Sequence, residues 1–137
     1  MRAIVIDDER LARKELINLL NQLETVEVVG EAVNVDDAKE KIDQLQPDVI
    51  FLDIQMPEKT GFDLLEELDH VPHVIFTTAY DEYALKAFQV NALDYLLKPI
   101  EPKRLSEAIE RLQKKLQDQT QRSEESTTKG GDKKLTL

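Results

Sequence analysis

Short runs of valine, isoleucine and leucine alternate along the chain with longer stretches whose apolar residues recur every three or four positions. The short runs, at 2–7, 26–33, 48–52, 73–78 and 93–97, read as five β-strands, and the unbroken apolarity of the third and fourth fits strands covered on both faces. Between them, Leu11, Leu16, Leu19, Leu20 and Leu23 trace one face of a first helix. Asn34 is placed to cap a second helix running to Gln46, with Asp37 three residues on in a capping-box-like position and Pro47 to end it. Stripes over 61–68 and 82–89 predict two shorter helices, and Leu105, Ala108, Ile109, Leu112 and Leu116 mark a last one from Pro102. Strands alternating with helices imply an α/β fold, a doubly wound parallel sheet with helices on both faces.

The chain of 137 residues is 41% hydrophobic, enough for one ordinary core. Residues 1–119 therefore read as one domain. From Gln117 the apolar stripe gives way to a polar, glycine-containing stretch with too little apolar surface to order itself, so 120–137 reads as a linker. Lys134-Leu135-Thr136-Leu137 regains strand-like alternation, the expected edge of a further domain. A net charge of −10 argues against this segment gripping a phosphate backbone, whose affinity for proteins comes mainly from Lys and Arg. Without cysteine there is no disulfide framework. The apolar run before Asp7 is too short for a secretory signal and no later run reaches membrane-spanning length, so a cytoplasmic location is expected.

Chemistry gathers where the strands end. Asp7 and Asp8 follow the first strand, Asp53 the third, Thr77-Thr78-Ala79 lies at the fourth and Lys98-Pro99 at the fifth. Ligands of open α/β sheets collect at the carboxyl ends of the strands. Acids brought together there repel and raise one another's pKa unless a cation sits among them, and an all-oxygen set suits a hard ion such as Mg²⁺. Carboxylates, a hydroxyl and an ammonium group in one place suit phosphoryl transfer, which depends on positioning and charge stabilisation.

With Asp7-Asp8-Glu9, Phe51-Leu52-Asp53-Ile54-Gln55-Met56-Pro57, Thr78-Ala79 and Tyr95-Leu96-Leu97-Lys98-Pro99 in this order and spacing, the chain resembles the receiver domain of two-component response regulators over about residues 1–119. The strings 76–85 and 91–100 look most like receivers attached to LytTR-type DNA-binding domains. The resemblance implies a flavodoxin-like sheet of strand order 2-1-3-4-5. It makes Asp53 the acceptor of a phosphoryl group from a sensor histidine kinase, with Asp8 and the Gln55 backbone carbonyl on Mg²⁺ directly and Asp7 through water. Thr78 and Lys98 would hold phosphoryl oxygens, the latter through a cis Lys98-Pro99 bond that aims the amine inward. Movement of Thr78 would let Tyr95 rotate and reshape a face that includes Glu82, Lys86, Gln89 and the stretch from Arg104 to Arg111. That face would form a homodimer on phosphorylation, and DNA would be reached only through a further C-terminal domain.

Plainer readings stand beside these. Adjacent acids often begin a helix, threonine is common in strands, a Lys-Pro pair is a common turn, and an aromatic such as Tyr95 is most often packing. Met56, Pro57 and Gly61 read as shaping the loop over the site, with Gly61 permitting close backbone approach. Two other functions remain. A metal-dependent aspartyl phosphohydrolase would want a second acid where Gln55 stands, and a single-domain interaction module would need no linker. A flavin site is disfavoured, because no glycine- or hydroxyl-rich phosphate loop follows the first strand.

Overall fold

The computed structural model describes residues 1–131, with side-chain surroundings to residue 119. Five parallel strands, β1 (Arg2–Ile6), β2 (Glu27–Ala32), β3 (Val49–Asp53), β4 (His73–Thr78) and β5 (Asp94–Leu97), form one sheet of order β2-β1-β3-β4-β5. Five helices connect or follow them: α1 (Arg10–Asn21), α2 (Val35–Leu45), α3 (Gly61–Glu67), α4 (Ala84–Gln89) and α5 (Pro102–Gly131). The expected strand order is observed, and the strand boundaries lie within a residue of those read from the apolar runs.

The period of two along each strand divides the core between the faces. Ile4, Ile6, Ile50, Leu52, Val74 and Phe76 point to the side covered by α2, α3 and α4, where Ala38, Ile42, Phe62, Leu64 and Ala87 meet them. Ala3, Val5, Val49, Phe51, Ile75 and Leu96 point to the other side and pack on Leu16 and Leu20 of α1 and Leu105, Ala108, Ile109 and Leu112 of α5. Burial on both faces explains why β3 has no polar position before Asp53: all five of its residues are buried.

Local signals set the helix ends. The Asn34 side chain accepts a hydrogen bond from Asp37 N at 2.8 Å. Asp37 answers to Val33 N at 3.0 Å and not to the cap residue, a box displaced by one residue. Gln46, at φ 48°, closes α2 in the left-handed region immediately before Pro47. A complete capping box that the sequence reading missed joins Thr60 and Asp63 at the start of α3. Its signature, Thr-x-x-Asp ahead of an apolar stretch, was available.

Two helices differ from expectation. α4 starts at Ala84, two residues after the expected Glu82, because Tyr83 takes the cap position. α5 does not stop near Gln117: its backbone is helical to Gly131. Polarity alone does not end a helix, since Gln, Glu, Arg and Lys are adequate helix formers and extension from a packed stem avoids the nucleation barrier. The stem is packed through Leu105 to Leu112, and no proline follows Pro102. The strand-like tail 134–137 lies outside the described residues. Among the described residues, no helix is long and apolar enough to cross a membrane.

Candidate functional site

The sheet order reverses at β1, which has β2 on one side and β3 on the other, so the crevice at the carboxyl edge opens between β1 and β3. Ile6 pairs with Leu52 in register, and the next residue on each strand is an aspartate. Asp7 and Asp53 are both buried, whereas Asp8 is exposed. One carboxylate oxygen from each of Asp7, Asp8 and Asp53 lies within 4.8 Å of the others. An all-oxygen trio with one solvent-facing member fits a hard divalent cation that keeps some of its water.

Asp7 is held at four points. Its N–H donates to the Ala32 carbonyl at 3.0 Å. Oδ1 accepts from Glu9 N at 2.9 Å, Oδ2 accepts from Lys98 Nζ at 2.7 Å, and its carbonyl accepts from Arg13 Nη1 at 2.9 Å. Arg13 is itself paired with Glu31 at 2.8 Å, which fixes the guanidinium against the acidic turn. Lys98 Nζ also lies 3.5 Å from Asp53 Oδ2, so one ammonium bridges the two buried acids. The Lys98-Pro99 peptide is cis.

The electrostatics follow from this arrangement. Burial pushes the Asp53 carboxyl up to about 6; Lys98 opposes the shift and the charge of Asp7 adds to it. For Lys98, burial works against the ammonium, but the hydrogen bond to Asp7 and the charges of Asp53 and Asp7 outweigh it and hold its pKa above the ordinary lysine value. A carboxyl driven toward neutrality beside two other acids is a place where an added cation gains favourable interaction.

Thr77 and Thr78 point to opposite faces of the sheet by strand alternation. Thr77, opposite Asp53 in register, lines a cavity of about 420 Å³ with Asp7, Glu9 and Lys98. Thr78 is fully buried, and its hydroxyl accepts from Tyr80 N at 3.2 Å. The Tyr80 carbonyl in turn accepts from the Tyr95 hydroxyl. Tyr95 is half-buried and packs on Phe76 at a ring-centroid distance of 6.5 Å. A continuous chain of bonds therefore runs from Thr78 through the β4–α4 loop to β5.

Gly61 is the first residue of α3, at the end of the loop that follows Asp53. Its N–H donates to the Ile54 carbonyl at 2.8 Å, and a Cβ built there would stand 2.5 Å from the Asp53 carbonyl oxygen and 3.0 Å from Leu52 Cγ. The close approach read from the sequence is thus against the backbone of the acid itself. Gly61→Ala is expected to lower stability by about 1–3 kcal/mol through overpacking and to displace Asp53. Urea unfolding together with labelling by a small phosphodonor checks both effects, and an unchanged unfolding midpoint would show that the loop yields freely.

Several residues assigned to the exposed face also make contacts within the domain. Lys86 is exposed, as expected, and its ammonium stands 4.5 Å over the Phe62 ring of α3. Arg104 and Arg111 both reach the Asp94 carboxylate at 2.6 Å. Burial would raise the Asp94 pKa, but these guanidinium groups and the Tyr95 N–H hold it below the usual carboxylate value. The outward surface of α4 also carries large apolar residues, with Leu85 at 68% and Phe88 at 79% exposure.

Response regulator receiver domains match residues 3–110 of the chain. The chain belongs to that family. An uncharacterized response regulatory protein of Vibrio parahaemolyticus is 54% identical over 116 residues, which is 83% of this chain and 48% of the relative. The sensory transduction protein LytT of Bacillus cereus is 43% identical over 91% of the chain and 52% of its own length. The transcriptional regulatory protein BtsR of Salmonella typhi is 48% identical over 82% of the chain and 48% of its own length. This receiver domain thus spans about half the length of the curated relatives it matches. Among solved structures, the response regulatory domain of mrkE from Klebsiella pneumoniae superposes with a TM-score of 0.78 at 33% identity, covering 86% of this chain and 99% of that one. The REC domain of AraT, a response regulator from Geobacillus stearothermophilus, gives 0.74 at 32% identity, covering 87% and 97%. The family places the chain in two-component signalling, with LytT proteins among its relatives.

Proposed function

We propose that this receiver domain accepts a phosphoryl group on Asp53 from a sensor histidine kinase and passes the event to a distal surface. The observation that carries the reading is the buried Asp53, bridged to Asp7 by Lys98 and adjoined by Asp8 at one sheet edge. Asp8, Asp53 and the Gln55 carbonyl would hold Mg²⁺ directly and Asp7 through water. When bound, the ion would offset the repulsion between a carboxylate and an incoming phosphate.

An Asp53 carboxylate oxygen forms the bond to phosphorus as the phosphorus–nitrogen bond of the donor phosphohistidine breaks, and the released imidazole takes up a proton from solvent. Lys98, already 3.5 Å from Asp53, balances charge on the phosphoryl oxygens. Thr78 exchanges its bond with Tyr80 N for one to a phosphoryl oxygen. Because Tyr80 holds the Tyr95 hydroxyl, that exchange disturbs Tyr95 and the surface of α4, β5 and α5. The apolar exposure of Leu85 and Phe88 supports dimerisation through that surface.

Residues 120–137 would then serve as the connection to a C-terminal LytTR-type DNA-binding domain, through which transcription is controlled from the cytoplasm. The half-length coverage of LytT and BtsR supports this. A phosphohydrolase is not favoured: Gln55 stands where its second acid would be, and its side chain is engaged elsewhere.

Incubation with acetyl phosphate and Mg²⁺ tests the reading. One hydroxylamine-labile phosphoryl group is expected on the peptide containing Asp53, together with a rise in dimer fraction by light scattering after beryllofluoride treatment. Label on another residue would overturn the acceptor assignment, and an unchanged mass in solution would remove the dimer.

A further inference from the structure

The segment after β3 makes a contact with α4 that the phosphoacceptor reading does not use. Gln55, two residues beyond Asp53, donates from Nε2 to the Tyr83 hydroxyl at 2.8 Å. Tyr83 occupies the N-cap of α4 but makes no side-chain capping bond, so its hydroxyl is not committed to the helix end. Its carbonyl accepts from Ala87 N at 3.0 Å, which ties the residue's backbone to the first turn. The ring packs on Phe62 of α3, with centroids 6.2 Å apart, and meets Tyr80 edge-on at 6.4 Å.

α4 is only six residues long and its one buried residue is Ala87. A helix of that length does not hold its own conformation in water, so its position is set by its attachments. On the side toward α3 those attachments are Tyr83 on Phe62, Lys86 over the same ring, and the Gln55–Tyr83 bond. Of the three, the last reaches the segment that follows the acceptor. The residues opposite them, Leu85 and Phe88, are the exposed apolar ones.

We propose that Tyr83 is a positioning residue that latches α4 to Gln55, so that a change in the backbone after Asp53 is carried directly to the helix bearing Leu85 and Phe88. The proposal rests on the phosphoacceptor reading, in which the Gln55 carbonyl turns toward a bound cation. Displacing that carbonyl displaces the side chain of the same residue and pulls on the Tyr83 hydroxyl. This route enters α4 at its cap, whereas the Thr78 route enters through Tyr80 and Tyr95. The edge-on contact of Tyr80 with Tyr83 lets the two reinforce each other.

The test compares the full chain with Tyr83→Phe, Gln55→Ala and the double variant, each with and without Mg²⁺ and beryllofluoride. Amide hydrogen exchange over 84–90 reports α4, and calorimetric Mg²⁺ titration reports the acid site. The parent is expected to show exchange in α4 slowed on ligation. Tyr83→Phe, which keeps the ring, should bind Mg²⁺ as the parent does yet lose about fivefold of that slowing, the effect of one hydrogen bond. The double variant should lose no more than either single one, because both remove the same bond. A Tyr83→Phe chain whose α4 responds like the parent, or losses that add in the double variant, overturns the latch while leaving the phosphoacceptor reading intact. No response to ligation in the parent overturns both.

Discussion

Replacing Asp53 with asparagine is expected to abolish hydroxylamine-labile labelling and, at the same time, to make the metal-free chain more stable at pH 7.5. The two effects have one origin. Asp53 is 5% exposed, and burial lifts its carboxyl from 3.8 to about 6, with Lys98 opposing and Asp7 assisting. Between those values the folded chain binds a proton more tightly than the unfolded one, so stability falls as pH rises through the window, and the loss is complete above about 6. At about 1.4 kcal/mol per pH unit the loss is on the order of 3 kcal/mol. Asparagine carries no charge and escapes it. Lys98 is not orphaned by the change, because its shorter contact is the 2.7 Å bond to Asp7.

The pH dependence separates this account from ordinary repacking. Without Mg²⁺, the parent should gain stability on acidification from pH 7.5 to 5, whereas Asp53→Asn should stay nearly flat over the same interval. The advantage of the variant should therefore shrink toward pH 4. Adding Mg²⁺ at pH 7.5 should stabilise the parent, which regains a counterion for the acid, and should do far less for the variant. Thermal unfolding followed by circular dichroism gives each of these stabilities. A variant less stable than the parent at pH 7.5 without Mg²⁺ would mean that the buried carboxylate carries no electrostatic penalty.

The sheet was legible because its signals are redundant. An apolar run such as Val49-Ile50-Phe51-Leu52 ending in Asp53 marks a doubly covered strand and its exit at once, and both faces of the sheet contain the residues that period two assigns them. Asp7, Asp53 and Lys98 meet because parallel strands share a carboxyl edge, a consequence of topology that is readable once the strands are placed. What did not show was side-chain direction on short or irregular elements. On the six-residue α4, Lys86 is exposed as expected, but nothing in the pattern showed that its ammonium reaches the Phe62 ring. Gln55 and Tyr83 stand 28 residues apart on segments with no common period, and nothing in the string pairs them. Arg104 and Arg111 did leave a trace: seven residues apart they share a helix face, and Asp94 is the acid they clamp. The helical continuation past Gln117 was missed because composition reports what can be buried, not what can extend an existing helix.

Lys98→Ala should be the most damaging single change at the acidic edge in the metal-free chain. Its ammonium touches Asp7 at 2.7 Å and Asp53 at 3.5 Å, and their side chains are only 4% and 8% exposed. Removing one member of a buried ion pair leaves an uncompensated charge, at about 3–5 kcal/mol; here two carboxylates lose the same partner. Lys98 is itself 19% exposed, so water entering its place offsets part of the loss and the lower end of that range is expected. The ammonium stays charged in the parent until the pH passes its raised value, so the deficit of the variant persists across the neutral and mildly alkaline range. It should shrink on acidification, because the variant lacks the cation that opposes Asp53 protonation and its carboxyl takes up a proton at still higher pH than the parent's. Mg²⁺ should restore part of the stability by supplying the missing positive charge, while transfer from a phosphodonor stays slow, since nothing balances the phosphoryl oxygens on that side. Urea unfolding at pH 5 and pH 8, with and without Mg²⁺, measures the stability arm. An equal deficit under all four conditions would show that Lys98 acts by packing its stem and not by holding Asp7 and Asp53 together.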